Sequence, residues 1–231
     1  MNAIASLPQN AKLTSKKSAP VLGTPMKWEI MVLTQPKRAP WLAECLLRLL
    51  PQIAWPDVMV RVQTHDENLP IGTNRQKMLE QSNGQYVNFV DDDDLVSQDY
   101  AVSIYPHLGS VDVVTFPMAI RTAHGLEKEY AVFEPLGLNE PPRDWGWCRD
   151  ILHLSPLRRQ IATAFPMEGG IKEDVRWATK IRNAKLIQTQ AMLGHPLYTY
   201  YPGGSRTPRP APDDGPKKKL FHWQQDNGEK L

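Results

Sequence analysis

Apolar residues along this chain alternate between two spacings. Residues 28–34 (WEIMVLT) form a compact apolar run and predict a first strand. Pro36 and Pro40 break the chain, and residues 41–50 then set Leu42, Leu46, Leu49 and Leu50 at helical spacing, ended by Pro51. Residues 58–63 (VMVRVQ) alternate as a second strand does and run into Thr64-His65-Asp66-Glu67. A second helix is expected over 71–82, with Ile71, Met78 and Leu79 apolar and Asn83-Gly84 closing it. The run Gln85-Tyr86-Val87-Asn88-Phe89-Val90 predicts a third, buried strand. The order strand, helix, strand, helix, strand implies an α/β fold whose parallel sheet is joined by right-handed crossovers.

The second half is less regular. A helix is expected over 98–108 and a strand over 111–117 (VDVVTFP). Residues 118–150 read as irregular chain, with Pro135, Pro141, Pro142 and the aromatic pair Trp145 and Trp147. Ser155-Pro156 looks like an N-cap followed by Pro at the first helical position, which predicts a helix over 154–164. Glu168-Gly169-Gly170 reads as a turn, 172–184 as a helix with Glu173 and Asp174 at its start, and 185–190 and 197–201 as closing strands. Residues 1–25 read as a flexible basic arm and 203–231 as a tail rich in Pro, Gly and Lys. That leaves one domain at 26–202, divided near 117.

Composition narrows the class. A chain of 231 residues with 41% hydrophobic content can bury a substantial core. No apolar run approaches the roughly 20 residues of a membrane span, and the first residues lack the apolar segment of a signal peptide. Cys45 and Cys148 are too few for a disulfide framework or a zinc site, and Cys45 is expected in the core. A reducing, cytoplasmic location follows as the expectation. The net charge of +2 hides an asymmetry: residues 1–27 carry four Lys and no acid, and Lys217-Lys218-Lys219 add to the far end. An acidic body with basic ends suits a metal site and tails able to meet a polyanion; solubilising tails are the commoner explanation of such ends.

The candidate chemistry centres on Asp91-Asp92-Asp93-Asp94, four carboxylates that end the third predicted strand. Adjacent like charges repel, and solvent or a hard divalent cation such as Mg²⁺ or Mn²⁺ relieves that repulsion. Ligands of open α/β sheets gather outside the carboxyl ends of the strands, so Asp-x-Asp there can hold a metal and, through it, a diphosphate. A solvated acidic turn is the plain alternative.

Asp66, Gly72-Thr73-Asn74-Arg75 and the run from Gly84 to Asp94 resemble the nucleotide-sugar half of a GT-A glycosyltransferase of the family 2 type. Leu157-Arg158-Arg159, Phe165 and Glu173-Asp174-Val175-Arg176-Trp177 resemble that family's acceptor half, so the resemblance covers roughly 28–200. It implies a GT-A (Rossmann-like), mixed and mainly parallel sheet flanked by helices, with a nucleotide-sugar half at 26–117 and an acceptor half at 118–202. By the same resemblance, Asp91 and Asp93 hold Mn²⁺ or Mg²⁺, and Asp66 contacts the nucleobase. Arg75 stands near the phosphates of a donor, a UDP-sugar first of all, though a surface helix arginine reads the same. Asp92 and Asp94 contact the ribose or shape the loop. Asp174 becomes the catalytic base of an inverting transfer and Glu173 the neighbour able to share that role; without the resemblance, two acids at a helix start simply complement its dipole.

Many members carry a metal-binding His after the last Tyr-rich strand. Here His195 precedes that strand and His222 lies far beyond it, so neither is assigned to the metal. Trp145, Trp147 and His153 fall between the halves, as an acceptor platform or as ordinary packing. The implied acceptor is a saccharide or a hydroxylated base in phage-type DNA, which would put the enzyme in a host cytoplasm. A non-catalytic nucleotide-binding domain and a metal-dependent nucleotidyltransferase are the alternatives. The second would carry a Gly-rich loop after the first strand, and Gln35-Pro36-Lys37-Arg38 is not Gly-rich.

Overall fold

In the computed structural model, residues 26–122, 125–132, 148–149 and 151–202 are described. Strands β1 (Trp28–Thr34), β2 (Val58–Thr64) and β3 (Tyr86–Phe89) alternate with helices α1 (Ala39–Leu49) and α2 (Ile71–Gln81). β1 pairs in parallel with both β2 and β3, as the alternation predicts. Pro40 does not break α1; it sits in the first turn, where no amide hydrogen is needed. The chain continues through β4 (Leu95–Val96), α3 (Tyr100–Ile104), β5 (Val113–Thr115), β6 (Pro117–Thr122), β7 (Gly125–Val132) and β8 (Cys148–Arg149). It ends with β9 (Leu157–Arg158), α4 (Arg159–Ala162), α5 (Glu173–Asn183), β10 (Gln190–Met192) and β11 (Tyr198–Tyr200). The main sheet has the order β10-β5-β9-β3-β1-β2, and a second sheet the order β4-β11-β6-β7-β8.

Both faces of the main sheet are buried. Along β1, Ile30 and Val32 join one core with Cys45 and Leu49 of α1, while Met31 joins another with Met78 of α2 and Trp177 of α5. Period-2 alternation thus divides one apolar run between two layers of helices. Several polar residues inside are paired across elements. Glu29, fully buried, accepts from Arg61 Nε at 2.5 Å and from the Asn83 amide at 2.9 Å. Asn88 accepts from Trp28 Nε1 at 2.7 Å and donates to the Tyr100 hydroxyl at 2.9 Å.

Four local expectations are corrected. Residues 118–122 and 125–132 are not irregular: β6 and β7 pair antiparallel, as their alternation allows. The helix over 154–164 does not form. Leu157 and Arg158 instead fill the gap between β3 and β5, antiparallel to both, and the short α4 starts only at Arg159. The Ser155 hydroxyl caps nothing and is buried without a partner. The helix over 98–108 shrinks to α3 plus a 3₁₀ turn at Tyr105–His107, because Pro106 interrupts the α pattern. The strand over 185–190 begins only at Gln190: Lys185 takes a left-handed φ of 52°, and the Gln188 and Thr189 amides donate to Asp112 Oδ2 rather than to a neighbouring strand. Residues 1–25 and 203–231, Trp145 and Trp147 lie outside the described residues. No helix among the described residues is long and apolar enough to cross a membrane.

One close approach fixes how α5 meets α2. The Gly72 amide donates to Gly169 O at 2.9 Å. A Cβ on Gly72 would stand 2.7 Å from that oxygen and 3.0 Å from Glu173 Cβ. Gly72→Ala should therefore cost about 1–3 kcal/mol, read as a lower denaturant midpoint. An unchanged midpoint would show that the 168–170 turn yields freely.

Candidate active site

β3 stops at Phe89, and the chain leaves the sheet through Val90, whose amide donates to Met31 O at 2.9 Å. The four aspartates that follow divide by parity. Asp92 and Asp94 turn inward and are each only 1% exposed. Asp92 accepts from Thr34 Oγ1 at 2.7 Å and from Arg38 Nη1 at 2.8 Å, which ties the loop to the end of β1. Asp94 accepts from the Tyr198 hydroxyl and from the Tyr201 amide, both at 2.9 Å, which ties it to β11. Burial, then the charges of Asp91 and Asp93, push the Asp94 carboxyl well above its ordinary range. Of the two roles expected for Asp92 and Asp94, their contacts are those of loop shaping.

Asp91 and Asp93 face outward, with side chains 28% and 15% exposed. Burial and then the Asp91 charge raise the Asp93 carboxyl, against an opposing Arg38 guanidinium 3.1 Å away. Burial also acts to raise Asp91, but His153 and Arg75 outweigh it and hold that carboxyl below its ordinary range. Two hard-oxygen donors, one destabilised as an anion by the other, have the chemistry a divalent cation satisfies. The described residues contain no group of three or more His, Cys, Asp or Glu arranged as a metal cage. Such an ion would take its other ligands from water or a diphosphate, as Mg²⁺ commonly does.

The second wall is the start of α5. Arg75, on α2, is not the surface arginine its helix position allows; it is 5% exposed. Its Nη1 donates to Glu173 Oε1 at 2.5 Å and its Nη2 to Asp91 Oδ1 at 2.6 Å, while Nε has no partner among the described residues. Asp174, next to Glu173, points the other way round the helix start. Its Oδ1 accepts from the Val175 amide at 2.8 Å, and its Oδ2 lies 3.2 Å from His153 Nδ1. The opposite nitrogen of that ring, Nε2, lies 3.2–3.3 Å from both oxygens of Asp91. A single imidazole thus joins the acid loop to the helix start. Burial and Arg75 lower the His153 pKa, but Asp91 and Asp174 together leave it raised above 6.5.

Sequence reasoning placed Asp91, Asp93, Glu173 and Asp174; the structure brings Asp91, Glu173 and Asp174 together around Arg75 and His153, while Asp93 meets Arg38. Asp66 lies apart from them, exposed beyond the end of β2. Its carboxylate accepts from the Asn68 amide and side chain, and its own amide donates to Asn74. The in-register end of β2 beside β1 nevertheless keeps it on the carboxyl edge of the sheet. Arg38 and Tyr198 were missed as site residues, and His153 was named only as part of an acceptor platform or as packing. His153 sits in an apolar stretch (Ile151-Leu152-His153-Leu154) and reads there as packing; only the fold brings it to acids 62 and 21 residues away.

No protein-family model and no curated protein matches the sequence. The fold is similar to that of S. aureus TarS 1–349, with a TM-score of 0.54 and 16% identity over 76% of this chain and 60% of that one. TarS 1–349 in complex with UDP-GlcNAc gives a TM-score of 0.52 and 16% identity over 76% and 58%. A third TarS structure gives 0.53 and 13% over 76% and 37%. The shared architecture is the GT-A fold that the motifs imply. The chain spans less than two thirds of each of these structures.

Burial acts to raise the Asp174 carboxyl, but the His153 hydrogen bond and charge outweigh it and hold it at about 2, below the ordinary 3.8. A depressed carboxyl stabilises the fold above its unfolded pKa, and the gain is lost as pH falls from 3.8 through 2. The amount is about 2 kcal/mol at full extent. Asp174→Asn should therefore lower stability in urea at pH 6 and lose that deficit at pH 2. An equal deficit at both pH values would contradict the assignment.

Proposed function

We propose that this protein transfers a sugar from a nucleotide-sugar donor to an acceptor hydroxyl, with inversion at the anomeric carbon. The observation that carries this reading is the pair of bridges from the acid loop to the start of α5: Asp91 to Asp174 through His153, and Asp91 to Glu173 through Arg75. A non-catalytic nucleotide-binding domain would have no need to hold an ionised carboxylate opposite the acid loop. The nucleotidyltransferase alternative lacks support in the loop after β1, a 3₁₀ turn at Pro36–Arg38 that sends Arg38 to Asp92 and Asp93. The binding of UDP-GlcNAc by the structurally similar TarS supports a UDP-sugar as donor.

Asp91 and Asp93 would hold a divalent cation, Mn²⁺ or Mg²⁺, whose charge would stabilise the departing nucleoside diphosphate. Asp174 works on the other side of the sugar. Its Oδ2 is shared with His153, and its side chain is still 19% exposed, which leaves room for an acceptor hydroxyl. The acceptor oxygen bonds to the anomeric carbon as the bond from that carbon to the diphosphate oxygen breaks, and Asp174 takes the hydroxyl proton. A carboxylate of low pKa can serve, because the hydroxyl becomes acidic as its oxygen bonds to the electron-poor carbon. Glu173, 5% exposed and held by Arg75, is placed to fix geometry rather than to meet the acceptor.

The basic start and outer face of α5 support a choice of acceptor class. Lys172, Arg176 and Lys180 recur every fourth residue, all exposed, and none forms an ion pair with a described residue. Such a row favours a polyanion over a neutral saccharide, with nucleic acid bearing a hydroxylated base as the first case. Salt-dependent binding of a DNA duplex tests that choice, and its absence returns the acceptor to the saccharide class.

Donor binding and chemistry separate by mutation. With UDP-sugars and Mn²⁺, Asp93→Asn should weaken UDP binding in calorimetry by about 10-fold or more while the fold is retained. Asp174→Asn should leave UDP affinity unchanged and lower turnover about 100-fold. If no UDP-sugar raises the melting temperature of the wild-type protein, the donor assignment fails. If Asp174→Asn turns over normally, the base assignment fails.

A further inference from the structure

His153 is the buried group that the transfer chemistry above leaves without a task. It is 6% exposed, and three separate contacts fix its placement. The Phe89 amide donates to its carbonyl at 2.8 Å, which locks its backbone to the last residue of β3. Its ring meets the Phe89 ring edge-on, at 6.1 Å and 61°. Its two ring nitrogens then stand 3.2 Å from Asp174 Oδ2 and 3.2–3.3 Å from the Asp91 oxygens.

A carboxylate at a helix start has two free torsions and would ordinarily sample several rotamers. Here Oδ1 is held by the Val175 amide, and that contact alone leaves the carboxylate plane free to turn. The second oxygen has one side-chain partner among the described residues, His153. The imidazole is itself immobile because its far nitrogen is anchored on Asp91, in the loop that starts at the sheet edge. The chain of contacts from β3 through His153 to Asp174 therefore sets where the Asp174 carboxylate points relative to the acid loop.

We propose that His153 is a positioning residue for the transfer step: it holds the Asp174 carboxylate in the orientation that faces the acceptor hydroxyl and registers it against the donor-binding acids. The inference rests on Asp174 being the base. His153 acts on the acceptor hydroxyl through Asp174, while its other nitrogen rests on Asp91. Misorientation of a reacting group by a fraction of an ångström lowers turnover without weakening donor binding.

The test is a double-mutant cycle on the full chain, read as steady-state UDP release and as UDP affinity. His153→Ala should lower kcat about 10- to 100-fold, with the donor KM and UDP affinity changed less than about 3-fold. His153→Gln keeps one donor toward a carboxylate and should recover part of the loss, and it serves if the alanine variant does not fold. In an Asp174→Asn background, His153→Ala or His153→Gln should change turnover less than about 2-fold, because the group it positions is already disabled. An equal loss in both backgrounds would overturn the proposal, as would normal turnover in the His153 variants while Asp174→Asn is impaired. Normal turnover in Asp174→Asn itself would instead remove the base assignment on which the proposal rests.

Discussion

A charge cannot be left alone inside this protein, and the arrangement of the site follows from that constraint. Arg75 carries its guanidinium into a space that is 5% exposed, where an unpaired cation would be strongly destabilising. Two carboxylates answer it, Asp91 from the loop after β3 and Glu173 from the first turn of α5. Removing one partner of such a buried group typically costs about 3–5 kcal/mol. The pairing therefore fixes the distance between two segments far apart in the chain. Gly72 and Gly169 permit it sterically, since their backbones touch where a side chain would not fit.

Once Arg75 holds these segments together, the remaining acids divide their work. Asp92 and Asp94 spend their lone pairs on Thr34, Arg38, Tyr198 and the Tyr201 amide, so the loop is tied at β1 and at β11. The four form a turn closed by the Asp94 amide on Asp91 O at 3.1 Å, and with Asp92 and Asp94 turned inward Asp91 and Asp93 are left facing out. Asp93 meets Arg38, a half-exposed cation that shares itself with Asp92. A divalent cation bound at Asp93 would compete with Arg38 for that carboxylate.

The sequence was most legible where a residue's role depends on its neighbours in the chain. The apolar run of β1, the helical leucines of α1, the alternation of β2 and the strand ending in Asp91 are local patterns, and all appear where expected. The error at Ser155-Pro156 arose because a good helix-start signal was overridden by a tertiary demand. The gap between β3 and β5 needed a strand, and Leu157 buried itself there. His153, named only as platform or packing, kept its bridging role hidden for a different reason. An imidazole within an apolar stretch looks like core, and nothing local marks it as the bridge between Asp91 and Asp174. The motif register brought Asp174 to notice, but its orientation came only from three-dimensional contacts.

The central claim is that the acid loop and the start of α5 are two walls of one donor-and-acceptor cleft. A crystal structure with a UDP-sugar and Mn²⁺, using anomalous scattering to locate the metal, tests it most directly. The expected map places manganese at Asp91 and Asp93 on the diphosphate, with the anomeric carbon between that ion and the Asp174 carboxylate. Manganese or nucleotide bound elsewhere, or an Asp174 carboxylate on the diphosphate side of the sugar, would contradict it.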